Sequence, residues 1–214
     1  MQITGTTREI TCDGHNILFM NQRSPEWTHP YAWIGESENM HDAACGIFSI
    51  CHASQWMTGK AVNAEDLADY ARSCGGRGDD GTDRPVLLRQ MEMSGLAAQM
   101  GFRYEHGGHM NNNDLLFDHI EAGNTAICNL RIGHIVAIVK SRIVNGEKQL
   151  LAIDSYSESS SDRVKDKVRE IVPGTEIVTG IKNRDGLVVG FQVTHAMFWV
   201  PASLPRDFNL LYKL

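Results

Sequence analysis

Apolar positions along the chain recur in two rhythms, and the change comes near Gly123. From Asp42 onward Ala44, Ile47, Phe48 and Cys51 return at the spacing of one helix face, and the run stops at Thr58-Gly59-Lys60. A helix over this stretch, capped by Asp42, is the expectation. Asn63 with Asp66, followed by Leu67, Tyr70, Ala71 and then Gly75, predicts a second helix. A third is expected from Asp83 to Ser94, where Val86, Leu87, Gln90 and Met91 share a face and Gly95 ends it. N-N-N-D-L-L-F-D-H-I-E-A-G predicts a fourth, capped by Asn112 or Asn113 and stopped by Gly123.

Beyond Gly123 the texture is β-branched and alternating: T-A-I-C-N-L-R-I, then H-I-V-A-I-V-K-S-R-I-V, then K-Q-L-L-A-I-D-S-Y. Asn145-Gly146 between the last two is a strong hairpin signal, because a type I′ turn needs positive φ at both central residues. Residues 157–162 read as a serine-rich loop and 163–172 as a short charged helix. L-V-V-G-F-Q-V-T-H-A-M-F-W-V, at 187–200, reads as one long closing strand. Residues 1–40 read as irregular, broken by Pro25, Pro30, Gly5, Gly14 and Gly35, with Trp27, Tyr31 and Trp33 clustered among them. Helices first and sheet second predict an α+β fold in a single domain over 1–214, helical at about 40–123 and sheet at about 124–201.

Composition narrows the function. A formal net charge of −6 supplies no broad electropositive face, so nucleic acid is not an expected partner. No run of apolar residues is long enough to span a bilayer, and the first twenty residues lack a basic start followed by an apolar stretch. The expected location is therefore the cytoplasm, or outside the cell by a route that needs no standard signal peptide. The five cysteines, Cys12, Cys45, Cys51, Cys74 and Cys128, contain no C-x-x-C pair and no dense framework, a pattern that fits reduced thiols. Most free cysteines are small core hydrophobes.

Cys45 stands apart, in H-D-A-A-C-G-I-F-S-I. At a helix start a thiol meets unpaired backbone N–H groups and the positive end of the macrodipole, both of which favour thiolate. Gly46 beside it leaves room for a substrate backbone. A nucleophilic thiol needs a base on a rigid element, and His134 meets this best, following the bend at Gly133 and opening I-V-A-I-V. The base needs an acceptor on its other nitrogen, and Asp154 lies on the strand returning from Asn145-Gly146. In an unbroken ladder from that turn Asp154 falls opposite Ala137, three residues beyond His134. His195, in T-H-A-M-F-W, is a rival base with no aspartate on an adjoining strand. His106 and His109 are spaced as loop residues rather than metal ligands, and neither a metal nor another cofactor is expected.

A Cys-Gly at a helix start, T-G-K before an E-D-L-A helix, G-T-D leading into L-L-x-x-M and S-G-L, then G-H-x-V-x-I-V and a strand ending in Asp occur in that order over residues 39–155. In this the chain resembles the papain-like cysteine peptidases related to double-glycine bacteriocin-processing domains. The resemblance implies a papain-like fold and a thiol hydrolase that attacks an amide bond in a peptide or protein, with Cys45 as nucleophile, His134 as base and Asp154 as orienting residue. It also implies an oxyanion donor six residues before the cysteine, where this chain has Asn39 in place of the usual glutamine, with His41 as another candidate. Gly46, Trp33 and Gly133 are the expected substrate contacts. A-I-D-S-Y-S stands where such relatives often have Asp-Pro. The same triad would serve a transamidase or acyltransferase, and a degenerate relative would bind peptide without cleaving it. A free-standing bacterial or phage protease is the expected role; the sequence assigns no oligomeric state.

Overall fold

The computed structural model describes residues 6–106, 108–131, 133–156, 177–191 and 195–214. The chain opens on a hairpin, β1 (Thr7–Cys12) and β2 (His15–Met20), joined through Asp13 and Gly14, both at positive φ. Residues 1–40 are thus not irregular throughout: Asp13-Gly14 is itself a hairpin turn.

The expected helix from Asp42 is two helices. α1 (Met40–Ala43) has Asn39 as N-cap, and Asp42 sits in its first turn, its carboxylate accepting from the Asn39 N–H at 3.4 Å. The backbone breaks at Ala44, with φ −94° and ψ 23°, and α2 (Cys45–Thr58) then runs to Gly59 in the left-handed conformation. Asp42 therefore caps nothing in the long helix, and Cys45 becomes that helix's first residue. Every α2 residue from Cys45 to Met57 is buried. Its polar side chains are absorbed by backbone partners: Ser54 Oγ donates to Met100 O at 2.6 Å, and Gln55 Oε1 accepts from Leu18 N at 2.7 Å.

α3 (Ala64–Ser73) starts at Asn63, whose Oδ1 accepts from Glu65 N and Asp66 N. A tight hairpin follows, β3 (Arg77–Gly78) and β4 (Gly81–Thr82). α4 (Arg84–Ser94) is capped by Asp83 and ended by Gly95, and the short α5 (Leu96–Gln99) and β5 (Phe102–Arg103) come next. α6 (Asn113–Glu121) is capped by Asn112.

The six-stranded sheet comprises β5 with β6 (Thr125–Arg131), β7 (His134–Val144) and β8 (Glu147–Ile153), then β11 (Met197–Pro201) and β12 (Asp207–Lys213), with β9 (Ile181–Lys182) and β10 (Val188–Gly190) forming a separate pair. Its order is β11-β8-β7-β6-β12-β5, antiparallel throughout. The expected single strand at 187–200 is therefore two, β10 and β11, in different sheets; residues 192–194 between them, and 157–176 with the expected loop and charged helix, lie outside the described residues. The sheet also continues past the expected limit of 201, because β12 enters between β6 and β5.

Helices cover both faces. On one, α2 packs on Ile127, Ala137, Val139, Leu151 and Ile153; on the other, α6 packs on Ala126, Cys128, Val136, Ile138 and Leu150. Burial on both sides is why I-V-A-I-V is a continuous apolar run rather than an alternating one. Among the described residues no helix is long and apolar enough to cross a membrane.

Candidate active site

A cleft of about 540 Å³ opens where the first turn of α2, the β3–β4 hairpin, the start of α4 and the facing ends of β6 and β7 meet. Cys45 and His134 both line it. Cys45 is only 9% exposed, but its surface is part of this cleft rather than sealed in the core. As the first residue of α2 it sits at the positive end of a fully formed helix.

His134 begins β7 and is 1% exposed. Its Nε2 donates to Asp154 Oδ1 at 2.7 Å, and Asp154 is fully buried. The carboxylate also accepts from Tyr156 N at 3.0 Å, while the Asp154 N–H donates to Ala196 O at 2.8 Å. With Nε2 committed to the carboxylate, Nδ1 is the ring nitrogen that can exchange a proton with a thiol. The Tyr156 ring packs on the imidazole, centroids 4.1 Å apart, with the Arg23 guanidinium 5.3 Å from the tyrosine ring centre.

A β-bulge sets this pairing. From the Asn145-Gly146 turn the β7–β8 ladder runs as expected, Val144 facing Glu147 and Lys140 facing Leu151. The register then shifts, so that Ile138 faces Ala152 and Ala137 faces Ile153. Carried one step further, Asp154 falls level with Val136, an even step from His134, and not with Ala137 as in the unbroken ladder. The extra residue, Val139, turns a near miss into a hydrogen bond.

The nucleophile turn is fixed to the sheet and to the hairpin above it. Ser49 Oγ lies 2.7 Å from Cys45 O and 3.1 Å from Ile135 O, joining α2 to the residue after the histidine. Gly46 is not open to substrate: a Cβ there would lie 2.5 Å from Thr82 Cβ, so this glycine lets the hairpin close on the helix. Thr82 Oγ1 and the Tyr31 hydroxyl share a hydrogen bond of 2.8 Å. Arg77, 2% exposed, donates from Nε to Tyr31 O, from Nη1 to Gly78 O and Gly81 O, and from Nη2 to Glu36 and Glu38.

Of the other expected contacts, Gly133 lines the cleft, at φ +67°. Asn39 and Trp33 do not. Asn39 stands at the start of α1, and Trp33 is exposed on the loop that Arg77 holds through Glu36. His41 bonds Asp42 at 3.0 Å. His195 is not a cleft residue, and His106 bonds the Tyr212 hydroxyl at 2.9 Å. His109 does line the cleft, accepting at Nδ1 from Arg84 Nη2 at 3.1 Å; Arg84 in turn pairs with Asp207 and donates to Ile127 O. Among the described residues no group of histidine, cysteine and acidic side chains is placed to hold a metal.

Sequence reading misses the parts that fix the trio in place: Ser49, Thr82, Arg77 and Tyr156. G-G-R-G-D-D-G-T-D, dense in glycine and acid, is the one local signal that a special loop lies there. The remaining thiols do not line the cleft. Burial pushes Cys51 and Cys128 up, and burial together with the Asp13 charge raises Cys12. Cys74 is half-buried and lies outside the cleft. Comparison of the chain with models of known families, with curated proteins and with solved structures finds no match.

Proposed function

We propose that this chain is a cysteine hydrolase of papain-like design that cleaves an amide bond in a peptide or protein. The observation that carries the reading is the buried 2.7 Å bond from His134 Nε2 to Asp154, made behind a cleft that the same imidazole shares with a cysteine at a helix tip. A core thiol and a core histidine have no physical reason to meet at one opening. The arrangement of a nucleophile helix against a sheet, with the base at the start of β7 and the orienting acid just past the end of the neighbouring β8, supports a papain-like fold in the same way.

In the proposed reaction the Cys45 thiol gives its proton to His134 Nδ1, and the thiolate attacks the carbonyl carbon of the scissile amide. The carbonyl π electrons move to oxygen, and the Cys45 N–H at the first turn of α2 is the donor proposed for the resulting oxyanion. As the oxyanion collapses the C–N bond breaks, and the imidazolium proton passes to the departing amine. A water then gives a proton to His134 and its oxygen to the thioester carbon, releasing the acid and restoring the thiol. Asp154 holds the ring through Nε2, so that Nδ1 is the nitrogen offered to the thiol, and stabilises the positive charge of the imidazolium.

The test is selective alkylation. Iodoacetamide should modify Cys45 at least about tenfold faster than Cys74, the other thiol with appreciable exposure, and His134→Ala should remove that advantage. Cys45→Ala should abolish peptide turnover, and Asp154→Ala should lower kcat/KM by about 100-fold or more. Equal labelling of Cys45 and Cys74, or turnover that survives Cys45→Ala, refutes the reading.

A further inference from the structure

We infer that the cleft selects a cationic substrate group, a lysine or arginine side chain of a peptide or protein, held against Asp79, Asp80 and Asp83; this deepens the hydrolase reading and rests on it for the identity of the bond cleaved. All three carboxylates line the same cleft as Cys45 and His134, and all three are exposed to it and to solvent. A cleft that presents both a helix-tip thiol and a carboxylate-anchored imidazole is a place for a ligand, which sets these acids apart from a merely solvated acidic turn.

Charge bookkeeping around the cleft is one-sided. The acids just outside it have cationic partners: Glu36 and Glu38 share Arg77, and Asp207 pairs with Arg84. Arg77 is spent on three carbonyls and those glutamates, and Arg84 on Asp207, Ile127 O and His109. Among the described residues no cation pairs with Asp79, Asp80 or Asp83, so the wall facing the nucleophile carries three uncompensated charges. Asp79 Oδ1 accepts from Asp80 N and Asp83 Oδ1 from Val86 N, which fixes both carboxylates and leaves each a second oxygen for a ligand.

The wall is also rigid. Its hairpin is clamped from below by the Gly46–Thr82 approach and from the side by Arg77, so the charges cannot swing apart at little cost. Like charges fixed around one opening repel, and a cation relieves that repulsion where the low-dielectric walls strengthen it. The carboxylates do not converge on a common point able to hold a metal ion, which suits an extended organic cation bound along the wall.

The thiol itself provides the probe. In the full chain, Cys45 should react with a trimethylammonium-bearing methanethiosulfonate faster than with the sulfonate-bearing reagent, by a ratio at least about tenfold greater than that at Cys74. The ratio should fall toward the Cys74 value in 1 M salt and in the triple variant Asp79→Asn, Asp80→Asn, Asp83→Asn, whose amide at the third position can still cap α4. If that triple variant does not fold, Asp80→Asn alone should lower the ratio severalfold. In parallel, kcat/KM should be higher for fluorogenic peptides carrying arginine than for their leucine and glutamate counterparts, and the substitutions should narrow that gap. A reagent ratio equal to that at Cys74, or one unmoved by removing the charges, overturns the cation site even if peptides are cleaved. A charge-dependent ratio with no peptide of any charge hydrolysed supports the cation site and sinks the hydrolase reading instead.

Discussion

Gly46 shows how one missing methyl group shapes the site. It stands in the first turn of α2, where replacing glycine by alanine ordinarily gains about 1 kcal/mol of helix stability. Here the new Cβ would meet Thr82 Cβ at 2.5 Å, and overpacking of that kind costs about 1–3 kcal/mol. Gly46→Ala should therefore lower Tm by several degrees, and in a Thr82→Gly background the same change should raise it. If alanine stabilises the otherwise unaltered chain, the close approach of hairpin and helix is not as described. Asp154 is a residue of another kind, because both its ring partner and the Tyr156 N–H converge on Oδ1. A neutral side chain without an acceptor would leave two buried donors unsatisfied.

In α2 the cost of burying polar groups is concentrated at His52. The ring is fully buried, stacks on Phe19 and accepts at Nε2 from Met20 N at 3.0 Å, so it is held neutral. Burial lowers it to about 3, and the nearby Asp154 carboxylate offsets only part of that. The unfolded chain thus takes up a proton near the ordinary histidine value while the folded chain does not. Stability from this group is fully present above about pH 6.5 and is lost as pH falls toward 3, by up to about 1.4 kcal/mol per pH unit. His119 on α6, depressed mainly by burial, and Asp42, lowered first by its bond to His41, act in the same direction. Urea midpoints should therefore fall between pH 7 and pH 4.5, with a shallower fall in His52→Gln, whose amide oxygen can still accept from Met20. A slope unchanged by that substitution would rule out a buried neutral His52.

Across the whole molecule the last strand is decisive. β12 enters the sheet between β6 and β5, burying Phe208, Leu210 and Leu211, and its first residue, Asp207, pairs with Arg84 at the rim of the cleft. Removing residues 207–214 would expose one edge of β6 and strip the apolar face beneath α6. The truncated chain should lose cooperative unfolding and aggregate. A truncated chain that keeps a sharp thermal transition and a Cys45-selective thiol would show that β12 is dispensable. The same strand reaches the cleft through the Arg84–Asp207 pair, so a cleft lined by Cys45, Arg84 and His134 depends on closure of the sheet.

Helix existence was legible along the chain because local signals agree there: caps at Asn63, Asp83 and Asn112, and glycine stops at Gly59 and Gly95, act over one turn. The Asn145-Gly146 hairpin was legible for the same reason, since two residues with positive φ define the turn and the first pairs beyond it. Cys45 and His134 could be singled out from the chemistry each position allows. Tertiary structure alone decided the rest. The break at Ala44, with φ −94° and ψ 23°, is a backbone feature that no periodicity marks. The bulge at Val139, which brings Asp154 into line with His134, depends on how two strands fit between helices on both faces. Neither the Thr82–Gly46 contact nor the insertion of β12 leaves a trace in short-range pattern, because each joins residues far apart in the chain, and proximity of that kind is set by packing.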